Sequence, residues 1–136
     1  MPHGGYMNSI KLNVSQHVLN SNLLCTEFER FLAQNNVHPQ QRFKVITCVL
    51  EALSNVLEHT NSQLEEIIII LHCNSDLITI DLMDNSPFIS LNEEVSCPPP
   101  LSLSGRGLWI IQHWMDLVRF QSSVAGTHLR LSLLRS

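Results

Sequence analysis

Three side chains of different chemistry recur at four-residue intervals in V-L-E-A-L-S-N-V-L-E-H-T, residues 49–60: Glu51, Asn55 and His59. A carboxylate, an amide and an imidazole between them exchange protons and both accept and donate hydrogen bonds. On a helix, residues four apart lie roughly 40° from one another, so the three form one row. The surrounding stretch reads as the C-terminal half of a helix beginning near Pro39, because Ile46, Leu50, Leu53 and Leu57 repeat every three or four positions along an apolar stripe. The polar row is expected to centre roughly opposite that stripe, on the side away from the core. Any solvated helix face carries such residues, so the row gains meaning only from its company.

That company is three further motifs, in order: D-N-S-P-F at Asp84 to Phe88, G-R-G-L at Gly105 to Leu108, and G-T at Gly126 and Thr127. Singly, each has a plain structural reading. Asp84 to Pro87 are all turn formers, G-R-G suits a helix start and G-T a hairpin corner. His59 reads as a helix-end residue beside C-terminal carbonyls, and Trp109 and Trp114 as core or interface. No G-x-x-x-x-G-K-[ST] occurs, which excludes a P-loop.

The composition narrows the function classes. At 136 residues the chain is long enough for a core without staples and is expected to form one domain over 1–136, its core spanning about 10–134. Charged residues are 15% and hydrophobic ones 44%, which predicts a folded chain. A formal charge of −4, with eight scattered Lys and Arg, argues against direct nucleic-acid binding. The longest apolar run, Ile67 to Leu71, is far too short for a membrane span, and the N-terminal residues lack the pattern of an export signal. Cys25, Cys48, Cys73 and Cys97 contain no C-x-x-C pair. The first three lie among apolar residues and read as small buried hydrophobes of a reduced, cytoplasmic protein. Histidine spacing supports no structural metal.

The elements that must hold these motifs follow from periodicity. Ser9 to Val14 alternates as a half-buried strand, and Ser15 is placed to cap a helix running through Val18, Leu19, Leu23, Leu24, Phe28, Phe31 and Leu32 to Asn35-Asn36. Pro39 opens the second helix, which is expected to stop near Asn61-Ser62. Glu66 to Cys73 and Asp76 to Met83 read as a hairpin about Asn74-Ser75. A loop over about 85–104, containing Pro98-Pro99-Pro100, is long enough to be a lid. Gly105 to Met115 reads as a third helix, and Leu117 to Gln121 and Thr127 to Leu134 as closing strands. The predicted architecture is a two-layer α/β sandwich, with a mixed, mainly antiparallel sheet and its helices on one face.

With E-A-x-x-N-x-x-x-H, D-N-S-P-F, G-R-G-L and G-T in order, the sequence resembles the anti-sigma factor serine/threonine-protein kinases. These are a bacterial branch of the gyrase, heat-shock chaperone and histidine-kinase ATPase superfamily, with its Bergerat-type ATP-binding fold. The likeness runs from about Ile10 to Leu134, and G-R-G-L-W-I-I-Q-H-W-M-D-L-V-R-F resembles the family's segment almost throughout. The resemblance implies ATP or ADP with magnesium as cofactors. It makes Asn55 the magnesium ligand, Glu51 the general base and Asp84 the acceptor for the adenine amino group. Gly105 and Gly107 would offer backbone N–H groups to the phosphates, and Arg106 a charged contact. Thr127 would lie near the adenine, with Ser86 and Leu108 completing the nucleotide-binding set. The implied partners are a sigma factor and an anti-sigma factor antagonist, with a homodimer common among relatives. The implied activity is phosphorylation of a serine on that antagonist. Two positions depart from the pattern: Ser86 stands where relatives usually have glycine, and Pro87-Phe88 lacks a further one. Serine and proline restrict the backbone there, which motivates an alternative: a weakly nucleotide-binding, partner-sequestering module of the same fold.

Overall fold

Five short apolar segments build the sheet, and Asn35-Asn36 and Asn74-Ser75 mark two of the turns between elements. The computed structural model describes residues 8–15, 22–59, 67–84, 103–122 and 126–135, with 57–59, 103–108 and 122 described by backbone alone. Among these the order is β1 (Asn8–Asn13), α1 (Leu23–Gln34), α2 (Pro39–His59), β2 (Ile68–Cys73), β3 (Leu77–Asp84), α3 (Leu103–Trp114), β4 (Leu117–Ser122) and β5 (Thr127–Leu134). The strands form one sheet in the order β1-β2-β3-β5-β4, antiparallel at every pairing.

One face of that sheet presents Ile69, Leu71 and Cys73 of β2, Ile78, Ile80 and Leu82 of β3, and Leu129, Leu131 and Leu133 of β5. They share a single core with Leu24, Phe28 and Leu32 of α1, Val45, Cys48, Val49, Ala52 and Leu53 of α2, and Ile111 of α3. All three helices therefore cover the same face, as expected for a two-layer sandwich. Fully burying each large aliphatic side chain contributes about 1.5–3 kcal/mol, so this shared core dominates the fold's stability.

The first helix begins later than the Ser15 cap predicts. Asn22, immediately before α1, has φ 56° and makes no side-chain cap. Asparagine tolerates this left-handed region, and a residue in it cannot continue a helix from Ser15; residues 16–21 lie outside the described set. The C-terminal end matches the sequence reading. Asn35 donates its backbone N–H to Phe31 and Leu32 carbonyls, Asn36 has φ 60°, and α2 starts at Pro39. In the β2–β3 hairpin, the Asn74 Oδ1 accepts from the N–H groups of Asp76 and Leu77, both at 2.8 Å. Arg135 ties this end together, donating to the Asn74 carbonyl at 2.6 Å and to the Asn35 carbonyl at 2.8 Å.

Candidate functional site

The row on α2 lies in a different place from that expected. The face meeting the sheet is built from Val45, Cys48, Val49, Ala52 and Leu53, while Leu50 is 42% exposed and Ile46 only half-buried. Small side chains let the helix approach the sheet closely, and that geometry outweighs the larger hydrophobicity of Leu50 and Ile46. Glu51 and Asn55 consequently flank the buried face, half-buried, rather than pointing away from the core. The side chain of His59 is outside the described set. Burial, and next the neighbouring Glu51 carboxylate, push the Cys48 thiol up to about 12, so this cysteine stays a protonated, inert filler. Cys73 is also buried and its thiol raised by burial, whereas Cys25 is only half-buried, a correction to its reading as core.

Two measuring rods locate the row. Gln41, in the first turn of α2, donates to the carbonyls of Leu134 and Arg135. Leu134 pairs with Leu77, and the opposite end of the same two strands is the pair Asp84 and Thr127. Seven strand steps cover about 23 Å and fourteen helical residues about 21 Å, so Asn55 belongs to the Asp84–Thr127 end. The second rod is α3. The Trp114 ring, at its C-terminus, packs on Phe43 near the N-terminus of α2, with centroids 6.0 Å apart. The two helices pack extensively against each other, so α3 runs back along α2 from that contact. Eleven residues back along α3 is about 16 Å, which brings Leu103 level with residues 53–55 of α2. Lys44 lines a groove with Trp114, while Arg42 and Ile46 line one with Cys25 and Thr26 of α1. Glu51, seven residues after Lys44, repeats its direction to within about 20° and therefore lies on the α3 side.

The first turn of α3 thus reaches the level of Glu51 and Asn55. The helix begins two residues before the predicted Gly105, because glycine adopts helical dihedrals and need not mark a boundary. Gly105 falls in the first turn, whose N–H groups lack intrahelical partners, and Gly107 is the fifth residue. Nothing is described of the side chains of Arg106 and Leu108, and Ser86 lies outside the described residues with all of the expected lid but residues 103 and 104, which belong to α3.

Asp84 and Thr127 are buried, 5% and 9% exposed, and stand opposite one another across β3 and β5 on the helix-covered side of the sheet. Between the described elements one polar atom is left over: the Asn55 side-chain Nδ2 is buried and has no hydrogen-bond partner. An orphaned buried amide costs about 1–3 kcal/mol, so this nitrogen calls for a partner.

A profile of the histidine kinase-like ATPase domain matches residues 18–133, nearly the whole chain. The chain belongs to that family. Membership in a histidine kinase-like ATPase family implies ATP binding, and the motifs quoted above fall inside the matched stretch. Comparison with curated proteins returns no match. Among solved structures, the chain is similar to the RsbU and RsbW domains of Rv1364c from Mycobacterium tuberculosis, with a TM-score of 0.67 at 11% identity. The match covers 93% of this chain and 32% of that one, so the chain spans about a third of its neighbour's length and the likeness is one of fold.

The residues at this end fit a magnesium nucleotide. Beside its unpaired buried nitrogen, Asn55 carries an amide oxygen, the hard kind of donor that magnesium takes. Among the described residues no group of three His, Cys, Asp or Glu is arranged to hold a metal ion. Among the described residues no helix is long and apolar enough to cross a membrane.

A second polar cluster escaped the sequence reading. On the face of the sheet without helices, the buried Asp81 accepts from Arg130 Nε at 2.7 Å and Nη2 at 3.1 Å, from His128 Nε2 at 2.8 Å and from His72 Nε2 at 2.9 Å. Ser9 Oγ lies 2.8 Å from His72 Nδ1, and Gln121 Nε2 donates to His128 Nδ1 at 3.0 Å. Burial alone would raise the Asp81 pKa. The hydrogen bonds from Arg130 and His128, the Arg130 charge and the hydrogen bond from His72 outweigh it and hold the carboxyl below its usual range. No sequence signal announces this cluster, because its members come together only through strand register.

Proposed function

We propose that the chain is an anti-sigma regulatory factor, acting in the bacterial cytoplasm as an ATP-dependent kinase of a serine on an anti-sigma factor antagonist. The observation that carries this reading is the buried, unpaired amide nitrogen of Asn55 on the same row as Glu51, level with the first turn of α3. ATP supplies the phosphoryl group, and bound magnesium neutralises its charge. Asn55 holds that ion through its amide oxygen. Glu51, one turn earlier, takes the proton from the attacking serine hydroxyl. Asp84 accepts from the adenine amino group, with Thr127 beside it. Gly105, Gly107 and Arg106 receive the phosphates at a helix N-terminus, where the backbone dipoles favour anions. Ser86 and Leu108 complete the nucleotide contacts. Binding partners are the antagonist and a sigma factor, and a second copy of the chain forms the homodimer.

Calorimetric titration with ATP and ADP, with and without magnesium, tests the first half. The expected result is magnesium-dependent binding, and no heat at millimolar nucleotide overturns it. In the second half, Glu51→Gln should slow phosphate transfer at least about 100-fold while sparing ATP binding; an unchanged rate removes the general-base role. Ser86 and Pro87, in place of glycine, favour one other reading: a weakly nucleotide-binding module that sequesters its partners. Partner capture without saturable nucleotide binding is its signature.

A further inference from the structure

Two turns before Glu51, on the same side of α2, an open groove of about 550 Å³ is lined by Pro39, Gln40, Phe43, Lys44 and Trp114. Phe43 is 64% exposed, the highest among the described large hydrophobic residues, and its ring stands beside Trp114. Among the described residues Lys44 is the only charged one lining the groove and makes no ion pair, whereas Arg42 on the neighbouring flank is already paired with Glu29. An apolar floor with one uncommitted cation suits an apolar side chain adjoining a carboxylate.

The distance to Glu51 fixes the form of the occupant. Seven helical residues separate Lys44 from Glu51, about 10.5 Å along α2, and an extended peptide covers that in three to four residues. We propose that this α2–α3 groove docks an extended segment of the protein substrate, carrying an apolar residue and an acidic neighbour three to four positions from the phosphorylated serine. The inference rests on the kinase reading for the serine, but the groove's preference can be read without any chemistry.

The test uses the whole chain and a library of short peptides with one fixed serine and randomised flanks. Peptides bound in the absence of nucleotide are sequenced, and the bound pool is then offered as phosphate acceptor with magnesium and ATP. Wild type should enrich an aromatic or large aliphatic residue beside Asp or Glu at the stated spacing. Phe43→Ala should lose the apolar preference, and Lys44→Glu should reverse the acidic one to Lys or Arg. Both positions are exposed, so unchanged thermal unfolding is expected and checks that the variants fold. Enrichment that is absent, or identical in the two variants, overturns the groove. Transfer to peptides that neither substitution alters also overturns it and leaves the kinase reading standing. Enrichment with the predicted variant effects, but no transfer to the captured peptides, upholds the groove as a docking site and overturns the kinase reading.

Discussion

Asp81 and Asp84 lie three residues apart on β3 and point to opposite faces of the sheet, into two polar surroundings built on different terms. Asp81 receives four hydrogen bonds from three cationic or imidazole side chains, and its two histidines are backed in turn by Ser9 and Gln121. Asp84 faces the helix layer at the end of the molecule where Asn55 keeps a buried amide nitrogen unpaired. A saturated carboxylate contributes to the fold, whereas an amide nitrogen left unpaired costs stability and can take a partner. Polarity alone does not separate structure from function on this sheet; the accounting of donors and acceptors does.

Breaking each cluster should therefore give opposite results. The largest expected effect is on stability. Asp81→Ala leaves Arg130 and two imidazoles facing a vacancy and should cost about 3 kcal/mol in urea denaturation, at the low end for a buried charge because Arg130 is 42% exposed. Its nucleotide affinity should be unchanged. Next comes Asn55→Ala, for which about a 50-fold loss of magnesium–ATP affinity, some 2.3 kcal/mol, is expected by calorimetry. Its unfolding free energy should not fall and should rise by up to about 1–3 kcal/mol, since the substitution removes a buried amide nitrogen that has no hydrogen bond. If Asn55→Ala destabilised the fold and left affinity intact, the contrast would collapse.

Acid sharpens the same comparison. The Asp81 carboxyl is held below its ordinary pKa in the folded chain, so its contribution is complete above the unfolded value of about 4 and is lost as pH falls through the lower folded value. The gap between wild type and Asp81→Ala in urea midpoint should be widest near neutrality and narrow steadily below about pH 4. The smallest effect belongs to the rim: Gln121→Ala removes one hydrogen bond to His128 and should cost about 1 kcal/mol, measured the same way.

Much of this was legible in the sequence because it depends on neighbours in the chain. Alternation located β1 and β3, an isoleucine run β2, Asn35-Asn36 the end of α1, and Pro39 the start of α2, and the two closing strands also lie where the sequence put them. The face of α2 was harder. Leu50 has the more apolar side chain but Val49 and Ala52 the better shape for the sheet, a choice made by packing rather than hydropathy. The start of α1 turned on a single left-handed asparagine, which a cap-forming serine nearby concealed. Asp81 read as the polar member of an alternating strand, and its partners on β2 and β5 are fixed only by register. Of the candidate site, the row and the two strand-end residues were visible as motifs. Their convergence was not, since it follows from helix lengths and one aromatic contact.

The position of β5 in the sheet bears on how the chain is made. β5 lies between β3 and β4 but follows both in sequence, so β4 emerges from the ribosome with no strand to pair with. The three strands β1-β2-β3 can pair early, yet they expose the β3 edge until Thr127–Leu134 arrives. At about 5–20 residues per second, the 18 residues from Leu117 to Leu134 take roughly 1–4 s to synthesise. During that interval the nascent domain displays two unpaired strand edges, one of them rich in isoleucine and leucine. A synthesis arrest within β5 would leave a chain primed for strand exchange with its neighbours on the same message.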